Sequence, residues 1–324
     1  MNARSLGVAL LTVLMLTGMQ GAGLVSGQAT PTEETVDAVE LPTGRPVSMS
    51  PDGTMVVSVE QREQICVYQV ESMAEVSCAS LDAIPVPIAL RDVSWSPDSS
   101  RIVFALDAFR LMRDSDIWVM DVQSAQLTNL TEDNFDESLF PGDEGTNFFV
   151  DVAPAWTPDG QEITFSRSYW IDGQIAGNVI AQVPAAGGDA ATLARLDPGR
   201  PGIMYVPGAW APDGSAFYFT ADYLPVDPLQ SGIWALDPAT GNTRQIAHTE
   251  DPELGLLMLR MVSPAGDRLL AYYPHAVDRG LVSEPLQRFV DPHTGEISPI
   301  PNPGPESESY EGSWFSTFSP DGQY

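Results

Sequence analysis

One four-residue turn string recurs six times along this chain, and no other feature limits its fold so sharply. It stands as Ser50-Pro51-Asp52-Gly53, Ser96-Pro97-Asp98-Ser99, Thr157-Pro158-Asp159-Gly160, Ala211-Pro212-Asp213-Gly214, Ser263-Pro264-Ala265-Gly266 and Ser319-Pro320-Asp321-Gly322. Successive prolines are 46, 61, 54, 52 and 56 residues apart. Proline presets φ at the second turn position, aspartate accepts hydrogen bonds from nearby amides, and glycine takes positive φ without a Cβ clash. Each copy therefore reverses the chain between antiparallel strands. A period of roughly 50 residues is the size of one four-stranded propeller blade.

The flanks agree. Trp95, Trp156, Trp210 and Phe318 stand just before the turn. After it come β-rich runs: Met55 to Val59, Arg101 to Ala105, Glu162 to Ser166, Ala216 to Thr220 and Arg268 to Tyr273. A third strand follows in the near copies Asp116-Ile117-Trp118-Val119-Met120-Asp121 and Gly232-Ile233-Trp234-Ala235-Leu236-Asp237, with Leu286 to Asp291 a weaker version. Second turns such as Asp237-Pro238-Ala239-Thr240-Gly241 and Asp291-Pro292-His293-Thr294-Gly295 lead to polar fourth strands such as Thr243 to Ile246. A single such sheet cannot bury both faces, so the units must stack face to face. Recurrence at one repeat position assigns Trp95, Trp156 and Trp210 to structural contacts between blades.

The pattern Trp-Ser-Pro-Asp-Gly, a strand, Ile-Trp-x-x-Asp and a polar strand ending near Leu130-Thr131 resembles the WD40-like β-propeller repeat of periplasmic TolB proteins. The resemblance covers roughly Arg45 to Tyr324. It implies an all-β fold: a β-propeller of four-stranded blades, five complete and a sixth begun. The sixth turn has almost nothing after it, so the chain is expected to be part of a longer protein. The alternative is that the stretch near Val36 to Leu41 completes the last blade. TolB itself implies a periplasmic scaffold for protein partners. The N-terminal segment with which TolB meets its translocation partners has no counterpart here, and that role is not carried over.

The N-terminus predicts export. Arg4 precedes a short apolar run from Leu6 to Leu16, and small residues follow, with Val25-Ser26-Gly27 and Gly27-Gln28-Ala29 as cleavage candidates. The expected organisation is a signal peptide over 1–29, a linker or partial closing strand over 30–44, and the propeller over 45–324. No later run is long and apolar enough to span a bilayer, so no membrane span is expected once the signal is removed. The chain carries 15 basic residues, all of them Arg, against 44 acidic ones, a net of −29. That charge repels phosphate backbones and excludes nucleic acid as a partner. It suits a solvated acidic shell; adaptation to high salt, or a cation-binding face, is the sharper alternative.

Candidate chemistry is sparse. Prolyl-oligopeptidase-like serine peptidases carry such a propeller ahead of a catalytic domain, but no Gly-x-Ser-x-Gly elbow is present. His248, His275 and His293 stand in loop-like contexts with no nucleophile–base–carboxylate set. The run from Glu132 to Asp151 is acidic and holds no basic residue. It lacks the spacing of a calcium loop and reads as the least packed long segment of the propeller. No catalytic, cofactor or metal residues are therefore assigned, and no cofactor is expected. Trp170, out of register with the other tryptophans and placed in a loop after the second strand of its blade, is the candidate exposed contact. Asn129-Leu130-Thr131 matches a glycosylation sequon. Cys66 and Cys78 are expected to pair: Gln64 to Gln69 and Glu75 to Ser80 read as a hairpin that sets them opposite each other, and export supplies the oxidising setting. The function expected is a secreted or periplasmic scaffold that binds a protein or small ligand and has no catalytic activity of its own. The alternative is the propeller half of a prolyl-oligopeptidase-like peptidase.

Overall fold

The structure is a computed structural model that describes residues 45–60, 64–81, 93–105, 115–133, 147–172, 174–196, 207–222, 228–248, 253–273 and 286–300. The signal segment, the linker, the sixth turn, His275 and residues 134–146 lie outside the described residues.

Twenty strands form five antiparallel sheets, each a meander of four in chain order. The first blade holds β1 (Arg45–Met49), β2 (Met55–Glu60), β3 (Gln64–Gln69) and β4 (Glu75–Ser80). The second holds β5 (Ser94–Trp95), β6 (Arg101–Ala105), β7 (Ile117–Asp121) and β8 (Leu127–Asn129). The third holds β9 (Asn147–Trp156), β10 (Glu162–Ile171), β11 (Gln174–Pro184) and β12 (Ala191–Leu196). The fourth holds β13 (Gly208–Trp210), β14 (Phe217–Ala221), β15 (Gly232–Leu236) and β16 (Thr243–His248). The fifth holds β17 (Met258–Val262), β18 (Leu269–Tyr273), β19 (Leu286–Val290) and β20 (Ile297–Pro299). The first strands β1, β5, β9, β13 and β17 touch one another in series, as the inner strands of a propeller do. Among the described residues no helix is long and apolar enough to cross a membrane.

The middle strands of the second, third and fourth blades are apolar on both faces because a neighbouring blade covers each face. Val57, Ile65 and Val67 of the first blade share one buried cluster with Ile102, Phe104 and Met120 of the second. Val103 and Val119 of the second pack with Ile163, Phe165 and Val179 of the third. Ile180 and Leu196 of the third meet Phe217 and Phe219 of the fourth, and Ile233 of the fourth meets Leu259 and Leu269 of the fifth. The core is thus a series of inter-blade layers, which is why stacking is obligatory.

The turn string does what its chemistry dictates. In the first blade the Ser50 hydroxyl donates to Asp52 Oδ1 at 2.6 Å and accepts the Met55 amide at 2.9 Å. Asp52 also accepts the Thr54 amide and hydroxyl. Ser96–Asp98–Arg101 and Thr157–Asp159–Glu162 repeat the arrangement. These bonds hold the carboxyls low: Asp98, bonded by Ser96 and Ser100, falls to about 2. The fifth blade has Ala265 where the aspartate belongs. There Asp267, two residues later, takes the Ser263 hydroxyl at 2.7 Å. The fourth position has φ between +68° and +73° at Gly53, Gly160, Gly214 and Gly266, and Ser99 adopts +60° in their place.

The three pre-turn tryptophans are equivalent, as the repeat requires. Each ends the first strand of its blade and its indole N–H reaches back one blade. Trp95 donates to Ser48 O at 3.3 Å, Trp156 to Ser94 O at 3.2 Å and Trp210 to Thr164 Oγ1 at 3.2 Å. Arginines add further links. Arg101 lies over the Trp156 ring and donates to the Gly160 and Ala185 carbonyls of the third blade. Arg244 of the fourth blade donates to Pro292 O of the fifth.

Cys66 and Cys78 are bonded partners directly opposite each other on β3 and β4. The pairs from Gln64↔Ser80 to Val67↔Ser77 are centred on Ser72, and the register shifts only beyond them, between Val67 and Tyr68. The bulge lies on the turn side of the cysteines and leaves their pairing intact.

Candidate functional site

The third blade departs from the others. Its strands β9, β10 and β11 have 10, 10 and 11 residues, against two to six in the other blades. Asn147 to Val152 pairs with Ser166 to Ile171, so the sheet runs on past its neighbours' strand ends, at the end opposite the tight turns. On one side of this extension Phe148 stacks on Trp170, with centroids 5.5 Å apart and planes at 8°, beside Val150 and Val152. Ile171, at the tip, is 47% exposed.

Two expectations are corrected here. Trp170 is not an exposed contact in a loop: it lies in β10, is 7% exposed and packs in this apolar group. The signal that would have placed it is Asp172-Gly173, a strong hairpin dipeptide between alternating runs; Asp172 has φ +50°. The acidic run is also not loop throughout. Asn147 to Asp151 is strand, Asp151 is wholly buried, and Asp133 accepts the Phe149 amide at 3.0 Å. Like charge did not keep these residues apart from the core, because Asp151 found a cation from outside the run.

That cation is Arg167 of β10. Its Nε and Nη2 donate to the two Asp151 oxygens at 2.7 and 2.6 Å, and the pair is nearly dry, with side chains 11% and 0% exposed. The guanidinium lies over the Phe149 and Phe165 rings, at 4.4 and 5.3 Å from their centroids. Burial lifts the Asp151 carboxyl and the bidentate guanidinium opposes it; the geometry is that of an ionised pair.

From the second blade, Ser115 and Asp116 arrive just before β7, and Thr131, Glu132 and Asp133 just after β8. Ser115 pairs in parallel with Val150; its carbonyl accepts the Asp151 amide at 2.8 Å and its hydroxyl donates to Asp151 O at 2.9 Å. Asp116 is 8% exposed. Its Oδ2 accepts the Asn129 amide at 2.7 Å, and its Oδ1 lies 3.4 Å from Thr131 Oγ1. Burial lifts the Asp116 carboxyl to about 6, helped by the charges of Asp151, Asp133 and Glu132 and opposed by the Asn129 bond. Asn129 also bonds Glu132 and the Thr131 amide, so the sequon's acceptor nitrogen is committed to carboxylates.

Among the described residues, the junction of the second and third blades therefore brings two buried carboxylates, Asp116 and Asp151, close to Arg167. Sequence reasoning missed it: the isolated Asp116 was read as part of a strand, and Arg167 as one more basic residue. Among the described residues no group of His, Cys, Asp and Glu has the geometry to hold a metal ion. His248 and His293 are exposed, at the end of β16 and in the turn before β20. A shallow recess of about 200 Å³ at the same junction is lined by Arg101, Val119, Asp121, Gln126 and Thr128 among others.

No protein-family profile matches the chain. No curated protein sequence matches it either. Among solved structures it is similar to a candidate TolB protein from Agrobacterium tumefaciens, with 15% identity, a TM-score of 0.48 and 81% of each chain covered. It is also similar to the β-propeller domain of Cps50 (Swd1) from Myceliophteria thermophila, with 11% identity, a TM-score of 0.49, and 78% of this chain and 71% of that one covered. The propeller architecture expected from the repeat is carried by the five four-stranded meanders themselves. A shared fold does not carry function with it.

Proposed function

We propose that this protein is an exported β-propeller scaffold that binds a protein or small ligand at the end of the propeller where the third blade projects, without catalysis of its own. The observation that carries this reading is where the repeated polar side chains are spent. The motif aspartates hold turn amides, and Arg101, Arg167 and Arg244 hold neighbouring backbone or a buried carboxylate. Such side chains build a rigid platform. The projecting third blade, with Ile171 at its tip, supplies a surface beyond that platform. The Cys66–Cys78 bond suits an oxidising compartment.

Two experiments test it. Residues 1–44 fused to a phosphatase that is active only outside the cytoplasm should give an active fusion; an inactive fusion would remove the export half of the reading. Cross-linking of the exported chain in its host should capture a partner from wild type and lose it in Ile171→Asp. Capture that is indifferent to Ile171→Asp would move the binding surface elsewhere. Turnover of peptide, ester or glycoside substrates by the purified chain would overturn the non-catalytic assignment.

A further inference from the structure

We propose that the sixth copy of the turn string docks on the fifth blade, with Phe318 seated on Leu270 and Phe289 and held there by Arg268. The direction in which each repeat position points carries this placement.

Adjacent residues of a strand point to opposite faces, so counting from the turn proline fixes the faces. The side chain five residues after it looks toward the preceding blade: Ile102, Ile163, Phe217 and Leu269 all share clusters with that blade. The side chain six residues after it, with its cross-strand partner, looks toward the following blade. Val57 and Val67 share a cluster with Trp95, and Val103 and Val119 share one with Trp156. Thr164, opposite Gln182, accepts the Trp210 indole N–H at 3.2 Å. Tyr218 and Ala235 share a cluster with Val262. Trp95, Trp156, Trp210 and Val262 all stand two residues before their own proline. Each blade after the first therefore sets its pre-turn side chain on a two-residue seat of the blade before it.

The same count marks the two ends of the series. On the fifth blade the seat is Leu270 with its cross-strand partner Phe289. They are 3% and 5% exposed, in a cluster made wholly of fifth-blade residues. The first blade turns Val56 away from the second, into a cluster with Cys66 and Tyr68 of its own sheet. The two end clusters are separate, so among the described residues the fifth blade does not close directly on the first. The remaining copy of the string, Ser319-Pro320-Asp321-Gly322, brings Phe318 at the required position, two residues before its proline. An aromatic ring there gives Leu270 and Phe289 the cover that Trp156 gives Val103 and Val119.

A second repeat position selects the same pair. Arg101 stands four residues after its proline. Its guanidinium lies 4.7 Å from the centre of the Trp156 ring of the next blade and donates at 3.1 Å to the carbonyl of Gly160, that blade's turn glycine. Met55, Glu162 and Ala216 occupy this position in the first, third and fourth blades, and the fifth has Arg268. Arg268 borders the seat, 5.5 Å over the Phe289 ring, and its pairing with adjacent Asp267 is long at 3.5 Å. The repeat thus gives it the Phe318 ring and the Gly322 carbonyl to hold, as Arg101 holds Trp156 and Gly160.

The full chain with p-benzoylphenylalanine in place of Phe318 tests the seat directly, since the substitute keeps an aromatic ring and bonds to its neighbours on irradiation. The expected product has the mass of one chain, with the adduct on a peptide that carries Leu270 or Phe289. An adduct elsewhere in the chain, an adduct joining two copies, or no adduct would overturn the proposal. Urea unfolding of Phe318→Ala, Phe289→Ala and the double variant reads the same contact as energy. The loss of folded-to-unfolded ratio in the double variant should fall short of the product of the single losses by roughly 3- to 10-fold, the coupling of an aromatic pair in contact. Single losses that multiply independently would refute the contact. Should an alanine variant fail to fold, the cross-link decides alone.

Discussion

Replacing Arg167 with methionine should destabilise the protein by about 3–5 kcal/mol near neutral pH, the usual cost of stripping one partner from a buried ion pair. Methionine fills most of the arginine's volume between Phe149 and Phe165, so packing changes little. What remains is the Asp151 carboxylate, 0% exposed, with its two guanidinium bonds gone. The carboxylate has one escape: it can take up a proton. From an ordinary pKa of 3.8, that costs about 4 kcal/mol at pH 7 and about 1.5 kcal/mol at pH 5. The penalty is therefore bounded, and the bound slopes with pH by about 1.4 kcal/mol per unit.

This slope makes the argument refutable. In the variant the folded Asp151 has a raised pKa, so its stability deficit grows as pH rises. Urea unfolding at several pH values between about 5 and 7.5, referenced to wild type at each pH, should give a deficit that widens with pH. Adding Asp151→Asn to Arg167→Met should recover at least half of the loss at the upper pH and flatten the slope. A deficit below about 1 kcal/mol, or one that does not change with pH, would mean that water reaches Asp151 and that the junction is not dry.

Three further outcomes follow from single positions. Ser99→Gly should stabilise by roughly 0.5–1 kcal/mol, measured by thermal or urea unfolding, because Ser99 takes φ +60° where four sister turns use glycine and its own contact with Asp52 N is long at 3.4 Å. Gly295→Ala should cost roughly 2 kcal/mol or more in the same assay: φ is +75° and an added Cβ would lie 2.2 Å from Ile246 O of the preceding blade. Thiol titration of the denatured, unreduced protein should find no free thiol, and Cys66→Ala with Cys78→Ala should cost at most about 3 kcal/mol, given a sequence separation of 12.

The blades were legible because their turns are chemical. Proline, aspartate and glycine each do one local job, and the six copies put those jobs at blade spacing. Position-specific roles came with them: Trp95, Trp156 and Trp210 recur at one repeat position, and the structure gives all three an indole bond to the preceding blade. Cys66 and Cys78 were legible for the same reason, since register is set by a nearby turn. The blade junction was not. Asp151 and Arg167 are 16 residues apart, on strands whose length no period announces, and Asp116 comes from another blade. Their encounter depends on how blades stack, which no local signal encodes. Trp170 failed differently: the extension of β10 breaks the repeat, so reasoning from the repeat put its end in a loop. Ala265 shows the limit of motif reading in miniature. The fifth turn lacks its aspartate, yet Asp267 supplies the same carboxylate from the next strand's threshold.

The same reasoning predicts a stability maximum in mildly acidic solution, with its two flanks set by opposite ends of the molecule. At the tight-turn end, Asp52, Asp98, Asp121, Asp159 and Asp267 have lowered pKa values because hydroxyls and amides bond their ionised forms. A lowered acid contributes stability that is present above the ordinary 3.8 and is lost as pH falls through the folded value, about 2 for Asp98. At the junction, Asp116 does the reverse and withdraws stability as pH rises from 3.8 to about 6. The two terms cross between about pH 4 and pH 5. Self-repulsion at a net charge of −29 also eases on acidification, and it would produce an upper flank by itself. Salt separates the causes. At roughly 1 M the screening length falls to about 3 Å, which suppresses repulsion between exposed carboxylates but leaves a buried, hydrogen-bonded group largely untouched. Unfolding free energies measured across this range in low and high salt should converge on a shallower curve that still declines from about pH 5 to about pH 7. If high salt flattens that decline completely, the upper flank belongs to the acidic shell, and Asp116 is not ionising in the dry junction that the structure gives it.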